Sequence, residues 1–419
     1  MAVLWLIHIG VIVWIILKFR LTQRGSFTND YFWPGITAKI LGGVLFGIYY
    51  KFFGQGGDTW SFFESATVLV HWGVNNPWHY LKSLAGSPLP DNLLQQIGFA
   101  DQPRALFMVK IVSVFSLVTG NNYWLTSGYF SLFSFLGIWT LVNRIAENYA
   151  GSGKAALAAF IFLPSAIFWG SGISKEAIFM AGFGFLSAWC WPRFGAVKGT
   201  NVVHWLAGLL LLLILFQLKY YYLAVFVPVM LSTLVQSRII KGDSPAVLVH
   251  SCWLVIFAIL LFAASWLHPN LRLDYLAHLV NSNSGNITVS SSHSALVHFR
   301  DHADATTWMA MNFPWAVFSG LLRPNIGDWG TVFQDLAVVE HLAITILLLG
   351  KLGSVRKWNL LQPDWLPCII YVIILSGLLT LSTPNFGTLV RYKVSYLPVF
   401  IFLVLYRNSW WEQLVRKLP

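Results

Sequence analysis

Apolar runs long enough to cross a bilayer alternate with short polar segments along most of this 419-residue chain. A hydrocarbon core about 30 Å thick takes roughly 20 helical residues to cross. The pattern predicts crossings at 2–19, 34–53, 123–142, 155–170, 176–192, 203–218, 220–236, 246–267, 333–350, 366–382 and 388–406. Two further apolar stretches, 105–119 and 308–322, are shorter, and Lys110 interrupts the first, so both read as interfacial or re-entrant helices. The expected fold is therefore an all-α, polytopic membrane protein of about 11 transmembrane helices. Two long loops, 54–122 and 268–332, fall on one face, and only short segments fall on the other. Segment 281–294, rich in Ser and Asn, predicts a flexible flap. Lys219-Tyr220-Tyr221-Tyr222 predicts the turn of a short hairpin between the flanking spans.

Composition agrees with a chain solvated by lipid: 57% of residues are hydrophobic, 10% are charged, and mean hydropathy is +0.65. Cys190, Cys252 and Cys368 all lie in apolar runs, an odd number that argues against a disulfide framework or a paired-cysteine metal site. The first run carries its basic residues, Lys18, Arg20 and Arg24, after the apolar stretch, which predicts a retained span and not a cleaved leader. The short-loop face, with Lys39 counted, holds 16 Lys/Arg against 5 Asp/Glu, whereas the other face holds 11 of each. Positive charge marks the cytoplasmic side. The long loops and the N-terminus are then expected outside and the C-terminus inside, most simply in a bacterial inner membrane. The formal charge of +11 is accounted for by topology, with no nucleic-acid partner required.

Several motifs carry a resemblance. Asp58 stands in the first outer loop, Asp101-Gln102-Pro103 leads an apolar segment ending at Gly120-Asn121-Asn122, and the next span closes in Asn143-Arg144. Gly153-Lys154-Ala155-Ala156, Leu163-Pro164-Ser165 and Gly170-Ser171-Gly172-Ile173-Ser174-Lys175-Glu176 follow. This order resembles the GT-C class of membrane glycosyltransferases, among them the bacterial mannosyltransferase and aminoarabinose-transferase families, over roughly residues 35–195. The resemblance implies transfer of a sugar from a polyprenyl-phosphate carrier to a glycan, lipid or protein acceptor. It divides the chain into an extra N-terminal span and loop (1–33), a GT-C-like catalytic half (34–195) and a variable transmembrane half (196–419). Two features depart from the class: the usual acidic pair is here Asp58-Thr59, and an additional span precedes it.

Such a transfer needs a base at the acceptor and cations at the departing phosphate. Asp58 is the candidate base, with Glu64 the other candidate carboxylate. Six residues apart on a helix, the two carboxylates need not converge. The competing structural reading makes Asp58 the cap of a helix that follows Gly56-Gly57. Lys175, at the start of a span, is the first candidate phosphate ligand, with pairing to Glu176 or Glu340 as its structural alternative. Arg323, Arg391 and Lys393 are further candidates, because an Arg fork suits a phosphate. Trp60, Tyr220, Tyr221 and Tyr222 are candidates to line a sugar or lipid groove. His71 and His79 lack convincing ligand spacing, so neither a metal nor another cofactor is expected. His293, His298, His302, Asp301 and Asp304 read as a solvated polar face, with His298 and His302 on one side of a helix. Two other functions stay open: a polysaccharide polymerase or ligase, and a lipid-linked oligosaccharide flippase without covalent chemistry. Buried mid-span charges would mark the flippase, and the candidate ionisable residues sit near span ends.

Overall fold

The computed structural model describes residues 2–22, 30–54, 56–191, 202–240, 244–267, 272–292, 295–353 and 364–416; His293 lies outside them. In chain order the helices are α1 (Ala2–Thr22), α2 (Phe32–Phe52), α3 (Gly57–Asn75), α4 (Pro77–Leu84), α5 (Asp91–Leu94), α6 (Pro103–Val118) and α7 (Tyr123–Asn148). Then come α8 (Gly153–Ala156), a π-helical turn (Leu157–Ile161), α9 (Pro164–Trp169), α10 (Lys175–Cys190), α11 (Val202–Ile239) and α12 (Ala246–Leu267). The chain closes with α13 (Leu273–Ser290), α14 (Ala305–Leu322), α15 (Val332–Leu352), α16 (Trp365–Ser382), α17 (Phe386–Tyr392), α18 (Leu397–Leu405) and α19 (Ser409–Val415). Among the described residues there is no strand, only an isolated bridge between Leu296 and Asn385.

The all-α, multi-span character stands, but the count of eleven does not. Among the described residues, six helices are long and apolar enough to cross a membrane: α1, α2, α7, α11, α12 and α16. A seventh crossing arises if α17 and α18, bent by 66°, act as one. Expected span 155–170 is broken by the π-helical turn and by the non-helical Phe162–Leu163. Pro164, which has no N–H to continue the ladder, then opens α9. At the expected hairpin turn two helices meet at a break, Lys219 having φ of −147° and ψ of 54°. Helix α10 has only 16 residues, and α15 carries Asp335, Glu340 and Lys351. The expected flap at 281–294 is instead largely the C-terminal half of α13.

The chain divides into two compact units, the first comprising Met1–Asn143, Ala166–Leu186 and Gly199–Tyr220. Its helices approach through small residues, as packing between membrane helices requires. A Cβ on Gly137 of α7 would lie 2.2 Å from the Ala181 carbonyl oxygen of α10. One on Gly43 of α2 would lie 2.2 Å from Ser131 Oγ and 3.1 Å from the backbone nitrogen of Gly172. Helix α3 packs along α6, and α4 is tied to α6 where the Tyr80 and Ser113 hydroxyls meet at 2.9 Å. Lys110, the charge inside the apolar run of α6, donates to the Ser83 carbonyl at 2.6 Å, so it completes α4 without interrupting α6. Val3, Leu6 and Trp14 of α1 are exposed, as a lipid-facing helix would leave them.

The second unit comprises Arg144–Ser165, Ser187–Lys198 and Tyr221–Pro419. Here α14 packs along α16 and α13, burying Val280, Trp308, Ala316 and Leu381 together. Helix α14 packs by one face and leaves Met311, Trp315 and Phe318 exposed on the other. Buried Asn312 locks the preceding loop by exchanging hydrogen bonds with both backbone groups of Arg300.

Candidate functional site

The first loop of unit one begins with a turn that only glycine permits. Gly56 and Gly57 have φ of 81° and 49°, and a Cβ on Gly57 would stand 2.1 Å from the Tyr50 ring. The turn closes with the Gly56 amide donating to the Tyr50 carbonyl at 2.7 Å. It delivers Asp58 to the first turn of α3, with its side chain exposed. Gly56, not Asp58, occupies the capping position, and Asp58 stands in the first turn of the helix.

Thr59 faces the other way. It is 1% exposed, and its hydroxyl meets the Tyr123 hydroxyl at 2.8 Å. A second carboxylate at this position would be desolvated inside the bundle, which gives a physical reason for the single acid of Asp58-Thr59. Trp60 is a packing residue more than an open groove wall. It stacks on Tyr123 at 3.8 Å, donates its indole N–H to the Gly47 carbonyl at 2.9 Å, and carries the Lys51 ammonium over its face. Glu64 is exposed on α3 but off the Asp58 face, being six residues on.

Phe62, one turn after Asp58, shares its side of α3. The Lys175 ammonium lies 5.1 Å from the centre of the Phe62 ring. Lys175 opens α10, whose first turn is capped by Ser174: its Oγ accepts from the Ala177 amide at 3.0 Å. Glu176 is fully buried and pairs with Lys219 at 3.0 Å. Lys219 is itself the break in α11, and the Arg104 guanidinium covers the next residue, Tyr220, at 4.6 Å. Three contacts therefore mark this part of unit one: Lys175 on Phe62, Lys219 with Glu176, and Arg104 over Tyr220.

Arg104 is absent from the sequence-derived candidates although it directly follows Asp101-Gln102-Pro103. Proline at the first position of α6 was the available signal, because it places the next side chain, which is exposed, at a helix N-terminus.

The remaining candidates belong to unit two. Arg323 engages Asp328 through both Nε (2.9 Å) and Nη2, and its guanidinium stands over Phe386 at 4.9 Å. Lys393 is fully buried; it donates to the Arg323 carbonyl and to His341 Nε2 at 2.8 Å. The His341 tautomer follows from its surroundings. Nδ1 faces the Ala337 carbonyl at 2.8 Å and must donate, which leaves Nε2 as the acceptor for Lys393. The fork of Arg323 and the ammonium of Lys393 are therefore committed to the protein. Arg391 is partly exposed in α17, Tyr221 is partly buried, and Tyr222 is fully buried, so its ring is packing and not an open groove. Glu340 accepts the Ser165 amide at 2.9 Å.

The second long loop differs from its expected form. His298 and His302 lie in irregular backbone and share no helical face, while Asp304 caps α14 by accepting from the Thr307 amide at 2.7 Å. Buried charges are also more numerous than expected: Lys39, Glu176, Lys219 and Lys393 are each 4% exposed or less, Lys39 inside α2, Glu176 at the start of α10, Lys219 at the break in α11 and Lys393 just after α17. All four sit in apolar sequence and are paired inside the protein, so hydropathy alone passes over them.

Asp328 supports a pH prediction. Burial disfavours its charge, but the Arg323 hydrogen bond, the Asn325 amide and the charges of Arg323 and Lys393 outweigh this, holding the carboxyl below its ordinary value of 3.8. A depressed folded-state pKa contributes stability that is present above the ordinary value and is lost as pH falls through the folded one. Melting temperature measured against pH should therefore fall below the ordinary carboxylate range, and Asp328→Asn should flatten that acid limb. An unchanged acid limb in the variant would rule out the pair as its source.

Comparison with known protein families, with characterised proteins and with solved structures finds no match in any of the three.

Proposed function

We propose that this protein is a GT-C-like glycosyltransferase, moving a sugar from a polyprenyl-phosphate carrier to an acceptor at the outer face of a bacterial inner membrane. One observation carries the reading: Lys175 rests on Phe62, the residue that shares a side of α3 with Asp58. This supports pairing a carboxylate and a cation that lie over a hundred positions apart in sequence. In the proposed reaction Asp58 takes the proton of the acceptor hydroxyl or amine as that atom bonds to the anomeric carbon. The bond from the anomeric carbon to the phosphate oxygen breaks with inversion, and the polyprenyl phosphate leaves against Lys175, with Arg104 as a second cation.

The test is release of polyprenyl phosphate from labelled polyprenyl-phosphate sugars by the purified protein. Release should depend on acceptor. Lys175→Met should weaken carrier binding about tenfold to a hundredfold, corresponding to one charge-assisted contact of about 1.5–3 kcal/mol. Acceptor-independent release, or unchanged binding by the variant, would count against the assignment.

A second reading, a flippase for lipid-linked oligosaccharide, is favoured by the buried charges Lys39, Lys219, Glu176 and Lys393. Under it, labelled carrier crosses the membrane with its sugar still attached.

A further inference from the structure

Lys39 lies in the middle of α2, fully buried in a segment that meets the requirements of a membrane span. A buried ammonium at that depth costs several kcal/mol unless something uses it. Its Nζ donates to two backbone carbonyls, Ala166 at 2.9 Å and Gly170 at 3.0 Å, at the C-terminal end of α9. Beyond α9 the backbone leaves the helix for the Gly170–Ser174 turn, where Gly172 has φ of 67°.

The turn is held from α7 as well: Ser134 Oγ donates to the Gly170 carbonyl at 2.7 Å, and the Gly172 amide donates to Ser131 Oγ at 2.9 Å. Non-helical backbone inside a membrane bundle survives only when its polar groups are met in this way. The turn ends at Ser174, the cap of α10, and the next residue is Lys175. Satisfying the Gly170 carbonyl alone would not require a charge, since Ser134 already bonds it.

We infer that Lys39 is the positioning residue for Lys175, fixing the Gly170–Ser174 turn so that the Lys175 ammonium meets the carrier phosphate. The inference rests on the proposed role of Lys175 and adds to it the element that sets its place. Lys39 acts through the turn and does not itself touch the carrier.

The test is a double-mutant cycle on the full-length protein, read as the dissociation constant for polyprenyl phosphate in detergent micelles. Lys39→Met and Lys175→Met should each raise it about tenfold or more, and the double variant should stay within about twofold of Lys175→Met alone. Losses that multiply would show that Lys39 contributes to folding or binding independently, and unchanged binding by Lys39→Met would overturn the inference. If Lys39→Met does not fold, Lys39→Gln, which keeps an N–H donor, takes its place, with about threefold weaker binding that is not additive with Lys175→Met.

If Lys175→Met itself leaves binding unchanged, the phosphate role fails and the positional claim is read separately. The rate at which an amine reagent modifies Lys175 should then change at least threefold in the Lys39 variant. An unchanged rate would sink the positional claim on its own.

Discussion

Under the proposed reaction, asparagine in place of Asp58 should leave carrier binding intact and lower sugar transfer about a hundredfold to ten-thousandfold, the range that a positioned general base contributes. The substitution keeps the size and shape of the side chain and removes only its capacity to accept a proton. Structural collapse is not expected: Asp58 is exposed, Gly56 is the capping residue, and Thr59 with Tyr123 holds the first turn of α3. The measurement compares transferred label with bound carrier on the same membranes. Equal losses in both would place Asp58 in binding, and no loss in either would remove it from the reaction. Glu64→Gln serves as the internal comparison; lying off the Asp58 face, it should leave transfer within about twofold of the unsubstituted protein.

The second large effect is on stability. Glu176→Gln leaves the Lys219 ammonium buried without its carboxylate, and breaking a buried pair from one side costs about 3–5 kcal/mol. The two side chains are 0% and 4% exposed, so water cannot readily compensate. Thermal unfolding in detergent should show a fall of several degrees or failure to accumulate folded protein. Lys219→Met combined with Glu176→Gln should recover much of the loss, because neither charge then remains buried. A double variant as unstable as the single one would mean that the ion pair is not the source. Since Glu176 follows Lys175, the single variant should also weaken carrier binding.

Much of the fold was legible because a bilayer imposes one length on every crossing. Helices α1, α2, α12 and α16 begin and end within a few residues of the apolar runs that predict them. The break between α8 and α9 was not legible, because Phe162 and Leu163 are as apolar as their neighbours and the π-helical turn leaves no mark in hydropathy. Lys219 reads in sequence as the polar tip of a hairpin. In the structure it is buried with Glu176, a partner 43 positions away that no local pattern pairs with it. Lys393 reads as an available cation for the same reason, its partner His341 lying on α15, whereas the partner of Arg323, Asp328, follows in the same loop.

The candidate site was legible at its two ends. Gly56-Gly57 ahead of Asp58 and Ser174 ahead of Lys175 are local signals of helix starts, and both starts are present. What joins the two ends comes from packing: the Phe62 ring beneath Lys175, and the inward turn of Thr59. Arg104 and its partner Tyr220 are likewise joined only by the fold.

The whole account requires the start of α3 to face the extracytoplasmic water. A single cysteine at position 58, with Cys190, Cys252 and Cys368 replaced by serine, reports this through a membrane-impermeant maleimide applied to intact cells. The account predicts labelling of the intact cells, blocked by a second impermeant thiol reagent added outside. Labelling that appears only after the inner membrane is opened would place Asp58 on the cytoplasmic side and contradict the proposed reaction.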